Sequence, residues 1–110
     1  MSDLIRLYVD DERTMPAEFN LLCRGYDSAI QVIFENWKSI ECISLDHDLG
    51  ETLSGELEKS GYDIVCEIEK AVIDRHFPLN FDIKCHSANP VGRKRINQVI
   101  FKLYNLSTKE

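Results

Sequence analysis

The sequence predicts an α/β domain built on a mainly parallel sheet of about four strands, with helices on both faces in three layers. Two observations lead there. Short β-rich apolar runs alternate with segments of helical periodicity, the pattern of a parallel sheet crossed by helices. Three of those runs also end on reactive polar residues, and in open α/β sheets ligands bind at the carboxyl ends of strands.

Leu4–Val9 is the first strand, ending at Asp10. Arg13–Phe19 carries Pro16 and is too short for a full helix, so it is expected as an irregular loop or a single turn. Asn20–Arg24 suits a short second strand. Asp27 stands as an N-cap before Ser28–Lys38, where Ala29, Ile30, Ile33, Phe34 and Trp37 make one apolar face. Ile40–Leu45 is nearly all apolar and is expected as a central strand. Gly50–Ser60 is polar, a long loop of the kind that forms lids. Tyr62–Arg75 is the next helix, with Ile64, Val65, Ile68 and Val72 on one stripe. Phe81–Cys85 alternates apolar and charged residues, as an edge strand does, and the last helix runs from Pro90 to about Tyr104.

A chain of 110 residues suits a single domain spanning 1–110. The formal charge of −6 argues against general DNA binding and against a membrane surface. The charge is uneven, since from Ile83 to Lys109 there is no acidic residue, while Lys84, Arg93, Lys94, Arg95, Lys102 and Lys109 lie there. The four cysteines contain no C-x-x-C pair, so they read as small buried hydrophobes in a reducing compartment. With no leader and no long apolar run, the expected location is cytoplasmic.

The reactive residues fall in three clusters. Asp10, Asp11 and Glu12 follow the first strand, and adjacent carboxylates repel unless a cation neutralises them. Asp46-His47-Asp48 follows the central strand, with Asp46 and Asp48 expected on one side and His47 on the other. Asp10, Asp11, Asp46 and Asp48 form an oxygen-rich set suited to Mg²⁺ or Mn²⁺. A histidine between carboxylates suits general acid–base work. In His86-Ser87-Ala88-Asn89-Pro90, Asn89 caps a helix whose first residue is Pro90. Gly92 gives close backbone access, and the bases from Arg93 onward oppose the helix dipole unless an anion sits there. Arg13 is a candidate phosphate clamp. Each cluster alone is explicable as a solvated turn, a locally satisfied histidine or an ordinary cap. Their convergence on one rim points to a phosphate site.

Taken together, V-D-D-E-R, S-L-D-H-D-L-G, S-G-Y-D-I-V and C-H-S-A-N-P-V-G-R resemble the cyclic-phosphate processing receiver-like domain family over Leu7–Ile100. The resemblance implies a flavodoxin-like sheet derived from the two-component receiver fold. It places Asp10 and Asp11 at the receiver's metal-binding acid pair, Asp46 at its phospho-acceptor and Ser87 near its hydroxyl position. The chain departs from receivers at its end, where no strand bearing the receiver's Lys follows the last helix, and two histidines are added. It therefore implies chemistry on a phosphate ester, an RNA 2′,3′-cyclic end or a cyclic nucleotide. His47, His86 and Asp46 would be catalytic, and Arg13, Ser87, Asn89, Gly92 and Arg93 would bind the phosphate. The partner would be a phosphorylated small molecule or RNA end. The alternatives are a non-catalytic module that binds a cyclic nucleotide or a regulatory protein, and a receiver phosphorylated on Asp46.

Overall fold

The computed structural model describes residues 4–49 and 59–107. Its strands are β1 (Ile5–Val9), β2 (Leu21–Cys23), β3 (Ile40–Leu45) and β4 (Asp82–Cys85), and its helices α1 (Tyr26–Glu35), α2 (Gly61–Asp74) and α3 (Pro90–Ser107). The strands form one sheet in the order β2-β1-β3-β4, and every pairing is parallel. This is the receiver-like, flavodoxin-like α/β class that the sequence predicts. The loop expected over Gly50–Ser60 lies outside the described residues except for Lys59 and Ser60.

The order of the strands decides which face each connection covers. The β2-to-β3 and β3-to-β4 crossovers step the same way across the sheet, so right-handedness places α1 and α2 on one face. There α3 packs against α2. Leu7, Val9, Ile43, Leu45 and Ile83 point into this side and share one buried core with Ile33, Ile64, Ile68, Ile96 and Leu103.

The β1-to-β2 step runs the other way and falls on the second face. It contains no helix. Residues 10–20 are irregular, as Pro16 and the short span dictate, and Phe19 packs on Tyr8 with ring centroids 5.1 Å apart. Among the described residues, this segment stands where the sequence led us to expect a second helical layer.

Helix boundaries move for local reasons. The N-cap of α1 is Gly25, and Asp27 lies in the first turn without a side-chain cap bond. The helix stops at Glu35, because a 3₁₀ turn over Trp37–Ser39 carries Trp37 into the core. There its indole donates to the Pro78 carbonyl at 2.8 Å, and the ring meets Phe77 and Phe81 edge-on. In α2 the cap is Ser60, whose hydroxyl and the Asp63 carboxylate form a reciprocal capping box.

Candidate functional site

Backbone bonds carry the ladder past the strand ends and fix the rim. Asp10 N–H donates to the Cys23 carbonyl, Asp46 N–H to Val9 and His86 N–H to Leu45, at 3.1, 2.9 and 3.0 Å. Asp10, Asp46 and His86 thus stand side by side at the carboxyl ends of β1, β3 and β4.

Asp10 is wholly buried, and its carboxylate is heavily bonded. Oδ1 accepts from the N–H groups of Glu12 and Arg13, both at 2.8 Å. Oδ2 meets His86 Nε2 at 3.0 Å and Arg13 Nη1 at 3.4 Å. Burial pushes this carboxyl up, but the backbone donors of Arg13 and Glu12 and the His86 ring outweigh it and hold Asp10 below its ordinary value. An ionised carboxylate only accepts, so Nε2 of His86 carries a proton. In the neutral ring Nδ1 then accepts from the Ser44 hydroxyl, 2.7 Å away. Tyr8 stacks flat on the imidazole at 4.3 Å and 8°, which fixes the ring plane. The result is a continuous Asp10–His86–Ser44 hydrogen-bond relay.

Asp10, Asp11 and Asp46 each offer a carboxylate oxygen, and these lie within 4.8 Å of one another. That donor set fits a hard divalent cation, which takes few protein ligands and keeps its waters. Asp48 does not join them. Because β3 ends at Leu45, the strand alternation expected to put Asp46 and Asp48 on one side does not extend that far. Asp48 instead binds His47 Nδ1 at 2.9 Å and receives the Asn89 amide at 3.4 Å.

Two glycines set the position of His47. A Cβ on Gly61 would lie 2.0 Å from the Asp46 carbonyl oxygen, and one on Gly92 would lie 2.2 Å from Cγ of the His47 ring. Only hydrogen at these positions lets α2 and α3 close on the Asp46-His47 turn. Gly61 N–H also donates to the His47 carbonyl at 2.9 Å.

The α3 entry is satisfied from within the chain. Asn89 Oδ1 caps Gly92 N–H at 3.1 Å, and buried Ser87 accepts from Asn89 N–H at 3.0 Å. Arg13 spends Nη1 on Asp10 and on the His86 carbonyl. Arg93 is exposed in the first turn of α3, whereas the Arg95 guanidinium lies over the Tyr62 ring at 4.0 Å. Burial raises the thiol pKa of Cys23, Cys42, Cys66 and Cys85, which keeps them protonated.

Sequence reasoning missed Ser44, Tyr8 and Arg24. Ser44 had a signal, as the one hydroxyl in the run Ile40–Leu45. Arg24 Nη1 donates to the carbonyls of Asp10 and Arg13 and ties down the loop after β1.

A parallel sheet with an acid cluster at its carboxyl rim defines a receiver-like domain. The sequence model of the cyclic-phosphate processing receiver domain matches residues 5–102, and the chain belongs to that family. No curated protein and no solved structure matches it. Among the described residues no helix is long and apolar enough to cross a membrane.

Proposed function

We propose that the domain is a phosphoesterase that opens a cyclic phosphodiester, at an RNA 2′,3′-cyclic end or in a cyclic nucleotide. The observation that carries this reading is His86 Nε2 at 3.0 Å from Asp10 Oδ2, beside the carboxylates of Asp11 and Asp46. An imidazole oriented by an ionised carboxylate is built for proton transfer, and the family's subject is cyclic phosphate.

In this reading Asp10 orders the His86 tautomer, so Nδ1 is the nitrogen that accepts a proton. Ser44, hydrogen-bonded to that nitrogen and lining the adjacent groove, relays the proton of an attacking water to it. As the water oxygen bonds to phosphorus, the bond to one ribose oxygen breaks. That leaving oxygen takes its proton from His47, whose Nδ1 is anchored on Asp48. The exposed Arg93 supplies positive charge for the phosphate. Mg²⁺ or Mn²⁺ held by Asp10, Asp11 and Asp46 would offset charge on the phosphoryl oxygens.

The test is product analysis of RNA bearing a 2′,3′-cyclic end and of cyclic nucleotides, with divalent ions and with chelator. Turnover that His86→Ala abolishes supports the reading, and resistance to chelator would remove the metal from it. If nothing is turned over, the reading fails, and calorimetry showing tight binding with intact ligand would establish a binding module instead.

A further inference from the structure

The sheet face opposite the helices carries a groove of about 500 Å³, within the usual size of small-molecule sites. It exists because the β1-to-β2 connection is not a helix. Tyr8 and Ser44 contribute to its lining, Phe19 comes from the irregular segment, Asp82 and Lys84 come from β4, and His86 belongs to the groove as well as to the rim.

We propose that this groove holds the nucleoside of a mononucleoside cyclic phosphate and selects a single nucleotide over a longer RNA end. The proposal rests on the phosphoesterase reading and names its substrate class. Its first support is continuity. Ser44 and His86 are members of both the proton relay and the groove, so a phosphate at the relay has this concavity beside it for its sugar and base.

The second support is chemical match. Phe19 gives an apolar surface, while Lys84 and Asp82 give a donor and acceptors, as the face and edge of a base require. The third is charge. Arg6 is spent, pairing with Glu41 at 3.5 Å and donating Nε to the Glu18 carbonyl. Lys84 is then outnumbered by the carboxylates of Glu18 and Asp82. Further phosphates along the groove would meet like charge, which selects against wrong partners.

The experiment compares adenosine 2′,3′-cyclic phosphate with a short RNA oligonucleotide ending in the same group. It also maps amide chemical shifts on adding adenosine 3′-monophosphate. The mononucleotide should have about tenfold or more higher kcat/KM. Phe19→Ala and Lys84→Ala should raise KM with far less effect on kcat, and shifts should fall on Phe19, Ser44 and Lys84. Equal or better use of the RNA overturns the proposal. So does turnover whose KM neither variant changes, which leaves the phosphoesterase reading standing. Groove shifts without turnover uphold the groove and overturn the reading. Shifts confined to Asp11 and Arg93 overturn the groove.

Discussion

His86 and Asp10, 76 positions apart in sequence, are joined by a 3.0 Å bond from an imidazole nitrogen to a buried carboxylate. The other ring nitrogen is on Ser44, so the His86 ring is held from both sides along one line.

Ser44→Ala should therefore lower kcat by about tenfold or more while KM stays near the wild-type value, because the relay loses its outlet and no charge is removed. Steady-state kinetics on the cyclic substrate, with the His86 ring nitrogens followed by NMR, would check this. An unchanged kcat together with unchanged ring shifts would remove Ser44 from the mechanism.

Asp10 gives a pH signature. Its pKa in the folded state lies below the ordinary 3.8, so its ionisation favours folding above that value. The contribution is lost as pH falls through the folded-state pKa. The difference in unfolding free energy between wild type and Asp10→Asn should hold steady near neutrality and shrink below about pH 4. Urea titrations of both proteins across that range would read it, and a pH-independent difference would contradict the assignment.

The acid cluster predicts metal-linked stability. At about ten times its Kd, Mg²⁺ or Mn²⁺ should add about 1.4 kcal/mol, several degrees in Tm for a domain of this size. Asp11→Asn should raise Tm without metal, by relieving repulsion with Asp10 and Asp46, and should erase most of the metal response. Calorimetric melts with and without each ion would show whether both effects occur.

The two glycines at the Asp46-His47 turn should respond differently to alanine. In Gly61→Ala the new methyl meets the Asp46 carbonyl, which is backbone and cannot step aside, so the protein should lose about 3 kcal/mol or fail to fold. In Gly92→Ala the obstacle is the His47 side chain, which can turn away. That variant should fold, with a cost of about 1–2 kcal/mol and a severe loss of activity. Equal behaviour of the two in melts would show that the turn is more plastic than its contacts suggest.

Much of this was legible in the sequence for a physical reason. Strands such as Ile40–Leu45 are mostly apolar and bury four of six residues, so they announce themselves, and the acids that follow them are fixed to the rim by the direction of the chain. What was hidden depends on contacts between distant segments. Ser44 looks like an incidental small residue until β4 brings His86 over it. Asp48 pairs with His47 and Asn89 because α3 descends onto the turn, which no alternation rule within β3 encodes. The second sheet face was misjudged because periodicity cannot say which side of a sheet a connection will cover.

The chain's one tryptophan lies just before β3, while the reactive rim follows the carboxyl ends of the strands. In a parallel sheet these are opposite ends of the molecule, about 20 Å apart along the six residues of β3. Trp37 emission is therefore a gauge of unfolding placed far from the reactive rim. Tyr8, pressed between Phe19 and His86, is by contrast a chromophore inside the event. The single tryptophan thus reports the integrity of the fold separately from events at the rim, without a label.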